Sequence, residues 1–221
     1  MFFALAALSL ALVADDPSWT RSPPPPLMER LHPTMVRYRY FVTCVATRDW
    51  AIAGPAFDAR IGSPDETRIF RHVTGGINGT SCSYADRMRM TSILMRGGIA
   101  EARYRHVHAR TAAIPPANGA IAAAPEGASF EWVGFNRDSP APALFGFANC
   151  LAANETGAVH AVLMSDFGTN EERAAFQALS RRFGACLRPG QRIRANSLTL
   201  RPWLAEAQFQ LFRVRAPDAG N

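Results

Sequence analysis

The sequence predicts a mainly α-helical protein of two tandem pseudo-repeat modules, three to four helices each, with each module closed by one internal disulfide. Three observations carry that prediction. Tyr40–Arg105 and Phe145–Leu211 lay over each other, with Gly62 on Gly168, Phe70 on Phe176, Arg96 on Arg201 and Ala100-Glu101-Ala102 on Ala205-Glu206-Ala207. The same register puts Cys44 on Cys150 and Cys82 on Cys186, at like spacings of 38 and 36 residues. Ser63-Pro64-Asp65-Glu66 and Thr169-Asn170-Glu171-Glu172 also match, and both are capping boxes, in which a hydroxyl accepts from the third helical amide and a glutamate reaches back to the cap.

Taken in order, residues 1–14 (MFFALAALSLALVA) are apolar and uncharged and run into Asp15-Asp16-Pro17. They are too short for a permanent bilayer span and end in small residues, which predicts a signal peptide; without a basic n-region, a short membrane anchor is the alternative. Residues 15–34 form a Pro-rich spacer around Ser22-Pro23-Pro24-Pro25-Pro26. The first module spans 35–108 and opens with a helix-length segment near Met35–Arg48, in which Phe41–Val45 has enough β-branched and aromatic character to allow a strand. Its counterpart in the second module, 144–215, is Leu144–Asn154. Short apolar segments follow at Ala51–Phe57 and Ala158–Met164, and then come the two capped helices. Ile69, Phe70 and Val73 share a helical face in one, Phe176, Leu179 and Phe183 in the other.

The last element of each module starts near Ser92 or Ser197. Leu200, Trp203, Leu204, Ala207 and Leu211 recur at helical spacing and predict one apolar stripe, with Pro202 in or near the first turn. Between the modules, residues 109–143 are an Ala/Pro/Gly linker, in which Phe130–Phe135 alternates weakly as a strand or packing arm would; residues 216–221 are a tail.

Four cysteines allow three pairings. Duplication favours Cys44–Cys82 and Cys150–Cys186, because a module that once existed alone could close only its own bridge. Loops of this size stabilise by about 3–4 kcal/mol each in the chain-entropy model. A redox couple or zinc site is disfavoured, since the chain has no C-x-x-C.

Every basic residue apart from histidine is arginine, which excludes Schiff-base, P-loop and Ser-Lys chemistry. A formal charge of +6 and a pI near 9.8 suit an acidic partner. For an exported chain that partner is an envelope surface, polysaccharide or protein rather than nucleic acid. No G-x-S-x-G, H-E-x-x-H, G-x-G-x-x-G or calcium-loop pattern occurs, and no further membrane span follows the leader.

Four charged residues recur as candidates: Arg96 with Glu101, and Arg201 with Glu206. Five residues apart on a helix, the members of each pair do not face each other, so each is expected to reach another element. As catalysts, Glu101 and Glu206 would form a carboxylate pair acting on a glycan. Like environments argue against this, because an acid and a base need pKa values that separate, and structural ion pairs or a polar groove are the expectation. His106 and His108 form an H-x-H that could ligate a metal only from an extended segment; a solvated loop pair is the expectation, with no metal and no cofactor. Thr74–Cys82 is glycine-rich but fits no phosphate loop, and it reads as an irregular helix exit. Arg37-Tyr38-Arg39-Tyr40 and Arg103-Tyr104-Arg105 interleave cations with rings, and snorkelling helix ends explain them. The resulting expectation is a periplasmic or secreted protein, a non-enzymatic binding or scaffolding module of the cell envelope. The alternatives are a small envelope hydrolase using Glu101 or Glu206, and a secreted inhibitor or effector.

Overall fold

A computed structural model describes residues 25–75, 82, 92–111, 141–187, 193 and 196–215. The leader 1–14, most of the glycine-rich segment, Phe130–Phe135 and the tail lie outside them. Eight α-helices and two 3₁₀ turns make up the described residues, with no strand among them. In chain order these are α1 (Pro25–Arg48), α2 (Trp50–Ala53) running into a 3₁₀ turn (Gly54–Phe57), α3 (Pro64–Gly75), α4 (Ser92–Thr111), α5 (Ala141–Asn154), α6 (Thr156–Met164), α7 (Asn170–Ser180) with a 3₁₀ turn (Phe183–Cys186), and α8 (Ser197–Arg215).

Phe41–Val45, left open between helix and strand by its composition, is helical within α1. That helix begins at Pro25, ten residues before Met35, so the expected spacer is in part helix. Leu27–Leu31 contains strong helix formers, and prolines fit the first turn of a helix because their missing amide would be unpaired there. α4 likewise runs to Thr111 and α5 starts at Ala141, so helix takes up both ends of the expected linker.

The two capped helices are built alike. The chain turns at Gly62 (φ 77°) and Gly168 (φ 79°), a left-handed conformation that favours glycine. Ser63 Oγ then accepts from the Glu66 amide, and Thr169 Oγ1 from the Glu172 amide, each at 3.2 Å. The glutamates reach back one residue further than a standard capping box: Glu66 Oε2 accepts from the Gly62 amide and Glu172 Oε2 from the Gly168 amide, both at 2.6 Å. Each of those carboxylates has its second oxygen left for another partner.

Cys44 is bonded to Cys82 and Cys150 to Cys186, as the spacing predicted, tying α1 to the chain beyond α3 and α5 to the turn after α7. No described residue pairs a cysteine of one half with one of the other, and no cysteine is free.

α4 and α8 lie at the centre and pack on each other, α1 packs along α4, and α5 packs along α8. One continuous apolar core draws Phe41, Val45, Phe57 and Ile99 from the first half and Leu151, Leu163, Phe176 and Leu204 from the second. The centre is more deeply buried than a striped helix would be: residues 200–209 of α8 are buried without interruption, Arg201, Glu206 and Gln208 included. The two central helices meet closely at Gly97 and Pro202. A Cβ built on Gly97 would stand 2.5 Å from the Pro202 carbonyl oxygen, so the approach requires glycine. No described helix is long and apolar enough to cross a membrane.

Candidate functional site

Burying arginine in an apolar core costs several kcal/mol unless counter-charges and acceptors surround it. Arg96 on α4 is 2% exposed and lies in such a cage. Its Nη1 donates to the Ala56 carbonyl at 2.6 Å, the Ala59 carbonyl at 3.2 Å and Glu66 Oε1 at 2.9 Å. Nη2 donates to the Phe57 carbonyl at 3.3 Å and meets Glu206 Oε1 at 2.8 Å. Glu66 is the capping glutamate of α3, so one carboxylate both starts a helix and anchors the buried guanidinium. Glu206 comes from α8 in the other half.

Arg201 repeats this arrangement. It donates through Nε and Nη2 to the two oxygens of Glu101, both at 2.9 Å, in a bidentate fork. Nη1 donates to Glu172, the capping glutamate of α7, and Nη2 to the carbonyls of Leu163 at 3.3 Å and Ser165 at 2.7 Å. Each arginine therefore closes the carbonyl end of the short helix before the capped one, and takes one carboxylate from its own half and one from the other. Neither Arg96 with Glu101 nor Arg201 with Glu206 is paired within its own helix; the partners are exchanged between α4 and α8.

The electrostatics follow. Burial alone would lower the Arg96 pKa, but the charges of Glu206 and Glu66 outweigh it and hold the pKa above the ordinary value. Arg201 is likewise raised, against burial, by Glu101 and Glu172. The second cluster reaches the surface. Arg105, whose pKa burial lowers, meets Glu101 at 3.1 Å, donates to the Ser165 carbonyl and lies 3.3 Å from Asp166. Asp166 also accepts from Arg39 of α1 at 2.8 Å, and that bond first of all lowers its carboxyl pKa. Tyr38 donates to the Leu94 carbonyl at 2.7 Å, and burial, with Glu101, raises its phenol pKa.

The clusters differ in charge. Glu66 and Glu206 share one guanidinium, with Gln210 donating to Glu206 Oε1 and the Phe57 carbonyl, both at 2.9 Å. At the matching position the second cluster has Arg105, a second cation. The Oε2 atom of Glu206 is buried with no hydrogen-bond partner in the structure.

The remaining sequence candidates fall elsewhere. His106 and His108 are two residues apart on helical α4, which points them to different faces, so the extended geometry an H-x-H site needs is not present. His108 is not a solvated loop residue: it is 6% exposed, and its ring packs tilted against Tyr104 and Phe212 and edge to face with His160. Tyr104 Oη lies 2.8 Å from His160 Nδ1 and accepts from Gln208 Nε2 at 3.2 Å. Burial lifts the Tyr104 phenol to about 12, and burial followed by the neighbouring His108 lowers the His160 pKa. No sequence motif singles out His160, and its difference from its match, Gly54, was the available signal; Gln208 stands where the first half has Arg103, a difference the sequence shows directly. Arg103 sits over the Trp50 ring at 4.8 Å. No group of three His, Cys, Asp or Glu able to hold a metal occurs among the described residues.

No family model, curated protein or solved structure matches the chain.

Proposed function

We propose that this chain is an exported, non-enzymatic binding or scaffolding module of the cell envelope, built from two pseudo-equivalent halves whose central helices interlock. The observation that carries the reading is the state of the glutamates. Acid/base work needs a carboxylate that can reach substrate and exchange a proton, whereas Glu206 is 1% exposed against Arg96 and Glu101 is gripped by both nitrogens of the Arg201 fork. Residues in that position hold a fold together. The two disulfides are compatible with an oxidising compartment. The excess of arginine, with Arg48, Arg68, Arg71, Arg181 and Arg182 at the surface, favours an acidic polysaccharide or protein as partner.

Support for two equivalent halves comes from detail that no single motif demands. The paired glycine turns, the long-reach glutamates, the two bridges and the two arginine cages all recur in register. The test compares wild type with Glu101→Gln on an anionic polysaccharide column and on glycan substrates. Salt-reversible retention by both proteins, with no turnover, is the expected result. Glycan hydrolysis that disappears in folded Glu101→Gln would establish the hydrolase instead.

A further inference from the structure

The two bridges match in topology but not in surroundings. A disulfide exchanges only where a thiolate can reach one of its sulfurs, and it exchanges faster when the departing sulfur is stabilised as a thiolate. In the first half Cys82 is 4% exposed, so a thiolate can approach only at Cys44 and would have to expel a sulfur buried in the core. In the second half Cys150 and Cys186 are both partly exposed. Cys186 ends the 3₁₀ turn Phe183–Cys186, in which Gly184 and Ala185 are exposed and a Cβ built on Gly184 would meet open space. Arg181 and Arg182, both exposed, lead into that turn, whereas residues 74–81 before Cys82 carry no charge. Asn154, one helical turn on from Cys150, donates through Nδ2 to the Cys150 carbonyl at 2.9 Å and to its Sγ at 3.4 Å. The first half has Arg48 at that position; its charge would favour Cys44 as the departing sulfur, but that departure needs attack on the buried Cys82.

We propose that Cys150–Cys186 is a thiol-exchange site, opened reversibly by an external dithiol while Cys44–Cys82 stays closed. The bridge is acted on rather than acting, so it needs no C-x-x-C. A thiolate of the dithiol attacks Cys186 Sγ. A new S–S bond forms there, the bond to Cys150 breaks, and its electron pair leaves on Cys150 Sγ, where the Asn154 amide and then a proton from solvent take up the charge. The second thiolate of the dithiol attacks its own sulfur in the mixed disulfide, and Cys186 departs with that electron pair and is protonated. The two cysteines gain two electrons and two protons; the dithiol gives up the same and closes to a disulfide. Attack falls on Cys186 because Arg181 and Arg182 draw the anion to the turn, and because the departure of Cys150 is the one that Asn154 assists. Opening frees the turn from α5 without dismantling the half: Leu151, Phe176 and Leu179 are held in the core, and Phe183 keeps its edge-to-face contact with Phe147 at 4.9 Å.

The experiment treats the oxidised full chain with dithiothreitol under native conditions, quenches with iodoacetamide at intervals and maps the labelled peptides. Cys150 and Cys186 should be labelled about 10-fold faster than Cys44 and Cys82 or more, with the circular dichroism spectrum near that of the oxidised chain while the first bridge is still closed. With glutathione, which has a single thiol, the mixed disulfide trapped in acid should sit on Cys186. Asn154→Ala should slow the opening about 3-fold, as a departing sulfur of higher pKa does, while its melting curve stays near wild type. The proposal is overturned if both bridges open at one rate, if Cys44–Cys82 opens first, if glutathione is found on Cys150, or if Asn154→Ala opens as fast as wild type.

Discussion

Replacing Arg96 by Met is the most informative single perturbation of this fold. Methionine fills the stem of the arginine but withdraws the guanidinium from two carboxylates and three carbonyls, all in a region where Glu66 is 0% and Glu206 1% exposed. Breaking a buried pair by removing one member costs about 3–5 kcal/mol, because the remaining charge stays desolvated. Here one cation serves two anions, so the upper end of that range is expected. Against a typical total stability of about 5–15 kcal/mol, such a loss leaves a protein that is marginally folded or unfolded. Arg201→Met should cost less: Glu101 keeps Arg105 at 3.1 Å, and its side chain is 18% exposed, so water and a second cation take up part of its charge.

Urea unfolding followed by circular dichroism at neutral pH measures both variants and supplies a double-mutant cycle with Glu206→Gln. That amide can still accept from Arg96, so the single change should cost only about 1.5–3 kcal/mol, the scale of a hydrogen bond to a charged group. In Arg96→Met/Glu206→Gln one orphaned charge is gone, and the combined loss should fall short of the sum by about 0.5–3 kcal/mol. Additive losses, or Arg96→Met costing under about 1 kcal/mol, would show that the cage is not what holds the halves together.

Other consequences can be measured with the same methods. Cys44→Ser/Cys82→Ser, opening a loop of 38 residues, should cost about 4 kcal/mol, and peptide mapping of the variant should still recover Cys150 joined to Cys186. Gly97→Ala drives a methyl into the Pro202 backbone and should cost about 1–3 kcal/mol or more in urea; Gly98→Ala, which meets the movable end of Tyr38 at 2.0 Å, should cost less than Gly97→Ala. Asp166 has a carboxyl pKa below its ordinary value, so its contribution is fully present above about pH 4 and is lost as pH falls through the lower, folded-state pKa. With a side chain 66% exposed it is screened, and the difference between wild type and Asp166→Asn in acid unfolding should stay below about 1 kcal/mol.

Much of the architecture was legible because it is written locally. A hydroxyl, an acid and a left-handed glycine within five residues mark the start of α3 and α7 whatever lies around them, and like cysteine spacings settle the pairing once the copies are aligned. The start of α1 was misplaced because four consecutive prolines outweighed the helix formers after them. The cages were half legible. Arg96, Glu101, Arg201 and Glu206 stood out by recurrence, and helical geometry ruled out pairing within one helix, but a one-dimensional pattern carries no trace of which helix lies opposite. The second role of Glu66 and Glu172 was hidden by the first, since the cap already accounted for the residue. His160 was missed for the converse reason: its one counterpart is Gly54, and alignment rewards likeness.

The exchanged carboxylates also set a timetable. A chain is made from its amino end, and Arg96 leaves the ribosome 110 residues ahead of Glu206, an interval on the order of 5–20 s at ordinary elongation rates. During that interval the early guanidinium has Glu66 and a few carbonyls for company, and the flank of α4 that will meet α8 stands bare. Completion of the nascent protein therefore waits on its closing segment, and a transcript truncated before Glu206 would release a product that quality-control proteases should remove quickly.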